Sequence, residues 1–123
     1  MNVLIVDDNA GIRRLIRRTL LGTASSIWEC FDGSEALTAY ANQRPDVVLM
    51  DIQMPGLDGL TATRRIRILD PHARVVVLTD HDDDDLRKAA VEAGACGYLL
   101  KQNLSDLPVT LSNISERTGS HNL

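Results

Sequence analysis

The chain has 123 residues, a size that fits one domain and leaves no room for two of ordinary size. Hydrophobic residues make up 44%, which argues against disorder, and a net charge of −4 disfavours direct nucleic-acid binding, which needs a basic surface. No run approaches the roughly 18 apolar residues of a membrane span, and the first residues lack a signal-peptide layout, so we expect a cytoplasmic protein without membrane contact.

Short hydrophobic runs alternate with helical patterns along the chain. The predicted elements, in chain order, are a strand at residues 3–6, a helix at 10–21, a strand at 27–31, a helix at 35–43, a strand at 47–50, a helix at 60–69, a strand at 75–78, a helix at 82–93, a strand at 98–100 and a last helix from 105 or 106. Ser34 and Asp58 are the expected N-terminal caps of the second and third helices, and Gly94 closes the fourth. The third and fourth strands are continuously apolar, which indicates burial on both faces.

Five repeats of strand and helix predict an α/β fold, with a parallel sheet between two layers of helices. Chemically active residues follow four of the strands: Asp7 and Asp8, Asp51, Thr79, and Lys101. The carboxyl ends of parallel strands share one edge, where open α/β sheets bind ligands. We therefore expect these side chains to converge.

Three carboxylates held together would repel one another, and at least one would have a raised pKa unless a cation compensates. Acidic oxygens with a loop carbonyl and waters suit Mg²⁺. An ammonium and a hydroxyl beside them could hold a phosphoryl group, and a central carboxylate could accept it covalently. Taken singly, an aspartate after a strand is more often a helix cap, so the joint pattern carries the prediction.

With these motifs in place, the chain resembles the receiver domain of bacterial two-component response regulators, most of all receivers that precede a helix-turn-helix DNA-binding domain. The resemblance extends from residue 2 to about residue 115 and is carried by residues 3–8 (VLIVDD), 46–51 (DVVLMD), 54–56 (MPG), 58–59 (DG), 77–79 (VLT) and 93–101 (AGACGYLLK). It implies a flavodoxin-like (βα)5 three-layer sandwich with strand order 2-1-3-4-5. The receiver would occupy residues 1–116, and residues 117–123 would be a polar tail or the start of a linker.

The resemblance also implies a role for each matching residue at the acidic edge. Asp51 would be the phosphoryl acceptor. Asp7 and Asp8 would be the metal-binding acidic pair, with Asp8 the more direct ligand. Asp51 would also bind Mg²⁺, and Gln53 would contribute its backbone carbonyl.

Further roles implied by the resemblance concern the phosphoryl group and the response to it. Thr79 and Lys101 would contact the phosphoryl group. Tyr98 matches an aromatic residue whose rotation accompanies activation, although a packed ring without such a role is an equal alternative.

The function that the resemblance implies is a phosphorelay switch rather than an enzyme, with at most slow self-catalysed phosphotransfer and dephosphorylation. The donor would be a sensor histidine kinase or a phosphotransfer protein. The output, controlled through the C-terminal face, would be transcription through a DNA-binding domain absent from this chain, and homodimerisation is an open option.

Two positions depart from the family pattern. Asp80 stands where a small residue usually follows Thr79, and it could slow phosphorylation or point to solvent. Gln102 replaces a proline that commonly follows Lys101, so the loop there could be set differently.

Other charged residues have plainer interpretations. Arg13, Arg14, Arg17 and Arg18 are expected on a solvated helix face, with docking of an acidic partner as the alternative. His81 is either a bystander or an influence on a hydrolytic water.

Three other functions remain for comparison. A pseudo-receiver would keep the fold without phosphorylation. An aspartyl phosphatase would carry a second acid at the position of Gln53, and a nucleotide-binding enzyme would carry a glycine-rich motif after the first strand, which this sequence lacks.

Overall fold

The structure is a computed structural model that describes residues 1–54 and 56–121, with side chains as far as residue 114. Its elements are β1 (Asn2–Val6), α1 (Ala10–Thr19), β2 (Ser26–Cys30), α2 (Gly33–Gln43), β3 (Val47–Asp51), α3 (Gly59–Leu69), β4 (Val75–Thr79), α4 (Asp84–Ala93), β5 (Gly97–Leu100), a 3₁₀ helix (Lys101–Asp106) and α5 (Leu107–His121). The described strands form one parallel sheet in the order β2-β1-β3-β4-β5, so the predicted flavodoxin-like fold is confirmed.

Alternate residues of the central strands supply the cores on the two faces of the sheet. Val3 and Ile5 of β1 pack on the same side as Leu107 and Leu111 of α5. Leu4, by contrast, packs on the side of α2 and α3. Because helices cover both faces, β3 and β4 are buried at every position, which explains their continuously apolar sequences.

Aspartate or asparagine caps the first four helices. Asn9, Asp32, Asp58 and Asp83 each accept a hydrogen bond from a backbone N–H in the first turn that follows. The predicted cap at Ser34 is wrong: Asp32 caps α2, and the Ser34 hydroxyl donates to the same Asp32 Oδ1 at 2.7 Å. A carboxylate oxygen can accept both bonds, whereas a helix that began after Ser34 would leave the Glu35 N–H without this acceptor.

Two glycines are required by the local geometry. Gly94 ends α4 with φ of 102°, as predicted. A Cβ at Gly59 would lie 1.9 Å from the Asp51 carbonyl oxygen, so only glycine lets α3 begin so close to the end of β3. The start of α3 therefore lies directly against the end of β3, where Asp51 stands.

The C-terminal region contains one element that the sequence pattern did not predict, the 3₁₀ helix at Lys101–Asp106, which precedes α5. The predicted end of the receiver at residue 116 stays a prediction. In the described part of the chain, no helix has the length and hydropathy to cross a membrane.

Candidate functional site

The three predicted carboxylates meet at the carboxyl edge of the sheet. Asp7 follows β1 directly, Asp51 is the last residue of β3, and β1 and β3 are neighbours. One oxygen from each of Asp7, Asp8 and Asp51 lies within 4.8 Å of the others. Asp7 is 1% exposed and Asp51 is 5% exposed, whereas Asp8 is open to solvent. The group therefore has two buried members and one that faces water.

Lys101 joins the two buried carboxylates. Its Nζ lies 2.9 Å from Asp7 Oδ2 and 3.1 Å from Asp51 Oδ1, and its side chain is 9% exposed. β5 lies two strands away from β3 in the sheet, and the long lysine side chain covers that distance. The residue after Lys101 is Gln102 rather than proline, and in this arrangement Lys101 still reaches both carboxylates.

The pKa values of Asp51 and Lys101 are set by burial and by the neighbouring charges. Burial raises the pKa of Asp51 to about 6; the neighbouring Asp7 charge acts in the same direction, and Lys101 opposes it. Burial alone would lower the pKa of Lys101, but its contacts with Asp7 and Asp51 outweigh that effect and the pKa is raised. The ammonium thus stays charged between two acidic groups.

The donor set of this site fits Mg²⁺. Asp7 Oδ1 accepts the Asn9 N–H at 2.8 Å. The buried Asp7 Oδ2 has Lys101 as a charge partner but lacks an aligned hydrogen bond. Three carboxylates against one ammonium leave an excess of negative charge that a divalent cation with oxygen ligands would balance.

Gln53 is exposed, and its backbone N–H donates to Asp51. The role of its backbone carbonyl as a metal ligand stays a prediction.

Thr79 and Tyr98 are linked through the backbone of one residue. Thr79 ends β4, is 3% exposed, and its Oγ1 accepts the His81 N–H at 3.2 Å. The Tyr98 hydroxyl donates to the His81 carbonyl oxygen at 2.7 Å. The peptide groups of His81 therefore connect the hydroxyl at the site with the aromatic residue on β5, a link that side-chain chemistry in the sequence could not indicate.

The Tyr98 ring packs against apolar residues and lies under an arginine side chain. It packs against the cluster formed by Ile52, Val77 and Ala90, and the Arg87 guanidinium lies 4.3 Å from its centroid. Burial raises the pKa of its hydroxyl. The ring is thus packed in this conformation, and the switch role of Tyr98 stays a prediction.

Exposure bears on the sequence interpretation of two further residues. Asp80 is exposed, so its carboxylate is not buried with the acidic group. Arg13 was expected on a solvated face, but its side chain is only 12% exposed and its Nη1 donates to the Asp7 carbonyl oxygen at 2.7 Å. The expectation was wrong for Arg13 because helix periodicity cannot show which strand residues lie opposite a charged side chain.

This combination of fold and acidic edge is that of a receiver. Residues 3–111 match the family described as the response regulator receiver domain, and the chain belongs to that family. Receiver domains are the phosphorelay switches of two-component systems.

Named relatives extend this identification. The DNA-binding transcriptional regulator NtrC of Salmonella typhimurium is 39% identical over 119 residues, which cover 97% of this chain and 25% of NtrC. The chain thus spans about a quarter of that relative's length.

Solved structures agree with this assignment. A LuxR-family response regulator from Aurantimonas sp. SI85-9A1 is 34% identical with a TM-score of 0.85, covering 92% of this chain and 83% of that one. A chain of the CheX–CheY–BeF3–Mg²⁺ complex from Borrelia burgdorferi is 30% identical with a TM-score of 0.74, covering 81% of this chain and 77% of that one.

Proposed function

We propose that this domain is switched by phosphorylation of Asp51 and that it requires Mg²⁺. The observation that carries the proposal is the Lys101 ammonium between the buried Asp7 and Asp51 carboxylates, in a group that also includes Asp8. Such a site balances charge around a phosphoryl group from several directions.

The position of Asp51 supports its role as the acceptor. β3 lies between β1, which leads to Asp7, and β4, which ends in Thr79. A phosphoryl group on Asp51 would therefore have the acidic metal ligands toward β1 and the Thr79 hydroxyl toward β4, with the Lys101 ammonium already in contact with Asp51.

Phosphotransfer is a displacement at phosphorus. An Asp51 oxygen forms a bond to phosphorus while the bond from phosphorus to the donor's histidine nitrogen breaks, and the released imidazole takes up a proton. Mg²⁺, held by Asp7, Asp8 and Asp51 with the Gln53 carbonyl, would supply neutralisation of charge on the phosphoryl oxygens. Lys101 would keep contact with Asp7 or move toward the new phosphoryl charge.

The phosphoryl group on Asp51 would add a charge of about −1.5 to −2 next to Thr79. The Thr79 hydroxyl can donate its hydrogen to a phosphoryl oxygen while it accepts the His81 N–H, so a movement of Thr79 toward the phosphoryl group would pull on the His81 backbone. Because the His81 carbonyl accepts from Tyr98, a rearranged loop would shift the population of conformations at α4 and β5.

The remaining parts of the proposal rest on family membership. The receiver would comprise residues 1–116, with 117–123 as a tail or the start of a linker. A sensor histidine kinase or a phosphotransfer protein in the cytoplasm would be the donor, a DNA-binding domain outside this chain would be the output, and a homodimer is one form that the activated state could take. The domain itself would catalyse only its own slow phosphorylation and dephosphorylation.

The deciding experiment is labelling with acetyl phosphate. Incubated with Mg²⁺, the protein should take up one phosphoryl group per chain, measured by mass spectrometry of the intact protein. The Asp51→Asn variant, and the wild type in EDTA, should take up none. No uptake by the wild type would overturn the proposal and favour a pseudo-receiver, and equal uptake by Asp51→Asn would overturn Asp51 as the acceptor.

Asp80 offers a test of rate. Its exposed carboxylate lies next to Thr79 in sequence, and like charge near an incoming phosphoryl group slows the approach of the donor. Asp80→Ala should therefore change the phosphorylation rate with acetyl phosphate, and an unchanged rate would show that the carboxylate is irrelevant to the reaction.

A further inference from the structure

We propose that Arg13 is a positioning residue for the metal site: it holds the peptide group between Asp7 and Asp8, and through it both carboxylates. The inference rests on the proposed function, since it concerns how well this site binds Mg²⁺.

The contact of Arg13 is with the backbone of the acidic pair. Its Nη1 donates to the Asp7 carbonyl oxygen at 2.7 Å. That carbonyl and the Asp8 N–H belong to one planar peptide unit, so fixing the carbonyl fixes the plane from which both side chains project. The acidic pair is otherwise the start of a loop between β1 and α1.

Arg13 is itself held firmly. Its Nε donates to Glu29 Oε1 at 3.0 Å, and its guanidinium carbon lies 4.4 Å from the centroid of the Phe31 ring. These contacts leave the side chain 12% exposed. A guanidinium suits this place because its planar fork can donate to two acceptors and stack on an aromatic face at the same time.

A second contact fixes the same loop from β2. The Asp7 N–H donates to the Cys30 carbonyl oxygen at 3.2 Å. With Arg13 on the carbonyl of Asp7 and Cys30 on its amide, both backbone polar groups of Asp7 are occupied. The loop is therefore oriented by α1 and β2 before any cation binds, which reduces the ordering that binding requires.

Arg17 provides the matched control. It donates to the other oxygen of Glu29, Oε2, at 2.6 Å and to the Ile27 carbonyl oxygen at 3.3 Å. Its side chain is 47% exposed, and it makes no contact with Asp7 or Asp8 among the described residues. Arg13 and Arg17 thus share a glutamate and a charge but differ in their contact with the acidic loop.

A role of Arg13 through its charge and a role through positioning predict opposite effects of Arg13→Met on Mg²⁺ binding. If the positive charge of Arg13 only repelled Mg²⁺, Arg13→Met would tighten Mg²⁺ binding and Arg13→Lys would leave it unchanged. If Arg13 positions the loop, both variants weaken binding, because lysine cannot donate to Glu29 and Asp7 with the geometry of the fork. Outer partners that orient metal ligands typically contribute about 10-fold or more in affinity.

The test measures the Mg²⁺ Kd by titration calorimetry for the wild type, Arg13→Lys, Arg13→Met and Arg17→Met. We expect both Arg13 variants to bind Mg²⁺ about 10-fold more weakly, and Arg17→Met to stay within about 2-fold of the wild type because it does not contact the loop. With acetyl phosphate, the Mg²⁺ concentration for half-maximal phosphorylation should rise in the Arg13 variants, while the rate at saturating Mg²⁺ should stay near that of the wild type.

Each other outcome has a distinct meaning. A wild type that binds no Mg²⁺ overturns the proposed function. A wild type that binds Mg²⁺ while Arg13→Lys binds equally well overturns only the positioning role, as does tighter binding by Arg13→Met. If an Arg13 variant does not fold, Glu29→Gln keeps Arg13 and loosens it: weaker Mg²⁺ binding than in Arg17→Met supports the role, and equal binding overturns it.

Discussion

Replacement of Lys101 by methionine tests the charge balance of the site. The substitution removes the ammonium and keeps an unbranched apolar stem, leaving Asp7 and Asp51 buried without the cation now 2.9 and 3.1 Å away. At an effective dielectric constant of about 20, charges roughly 3 Å apart attract by about 5 kcal/mol each, from which the desolvation of three groups must be subtracted. We expect a net loss of about 3 kcal/mol in the free energy of unfolding, as for other buried pairs that lose one partner.

The assay is urea unfolding in EDTA at pH 8, with Lys88→Met as the control. The sequence contains two lysines, and Lys88 is exposed on α4, so the control removes the same charge without touching the site. Lys88→Met should stay within about 0.5 kcal/mol of the wild type. An equal unfolding midpoint for the two variants would refute the ion pairs on which the site is built.

The free energy of unfolding that Lys101→Met loses should depend on pH. The pKa of Lys101 is raised, so its contribution is fully present below the usual lysine pKa of 10.5 and does not change between pH 5 and 8. The pKa of Asp51 is raised to about 6, so its burial favours the protonated form and costs stability as pH rises through 6. Without the ammonium this cost grows, and the loss in Lys101→Met should be larger at pH 8 than at pH 5.

Mg²⁺ gives the same experiment a second readout. A cation that binds only the folded state adds stability according to its concentration and Kd. In the wild type, Mg²⁺ bound at the proposed site would compete with the ammonium for Asp7 and Asp51. Addition of Mg²⁺ should therefore raise the unfolding midpoint of Lys101→Met more than that of the wild type.

Further predictions concern the scaffold. Burial and then the hydrogen bond to a carboxylate raise the pKa of Tyr40 from 10.0 to about 12, so its stabilising effect is complete below pH 10 and is lost between pH 10 and 12. The unfolding midpoint of the wild type should therefore approach that of Tyr40→Phe over this range. Gly59→Ala places a Cβ 1.9 Å from the Asp51 carbonyl oxygen, and we expect a loss of about 2 kcal/mol and slower phosphorylation with acetyl phosphate. Gly11→Ala is its control: the Cβ would lie 3.1 Å from Oδ1 of the Asn9 cap rather than against the backbone, so it should destabilise less than Gly59→Ala. Asp83→Ala removes the cap of α4 and should cost about 1 kcal/mol in urea unfolding.

Three results would contradict these predictions. A wild-type midpoint that stays parallel to that of Tyr40→Phe up to pH 12 would show that the phenol is not held in its neutral form. Gly59→Ala with the stability of Gly11→Ala would mean that α3 can shift freely from β3. Asp82→Ala removes only an exposed ion pair with Arg87, 3.3 Å long. If it lowers the free energy of unfolding as much as Asp83→Ala does, Asp83 is not a specific cap of α4.

The sequence predicted the sheet and the acidic edge well because both depend on strong local signals. Continuous apolar runs identify buried parallel strands, and Asp51 and Thr79 occupy the last positions of β3 and β4. The cap of α2 was misplaced because Asp32 and Ser34 both satisfy the local preference. Arg13 was missed because its role depends on Glu29, which lies 16 residues away in sequence and reaches it only through the fold.

The connection through His81 uses a backbone N–H and a backbone carbonyl oxygen, atoms that every amino acid other than proline provides. The exposed side chain at this position could therefore vary widely while both hydrogen bonds are kept. Position 81 is consequently a place where a cysteine could carry an environment-sensitive dye. If phosphorylation of Asp51 shifts this loop, the dye would follow the shift in real time, whereas proline at the same position would remove the N–H that Thr79 accepts.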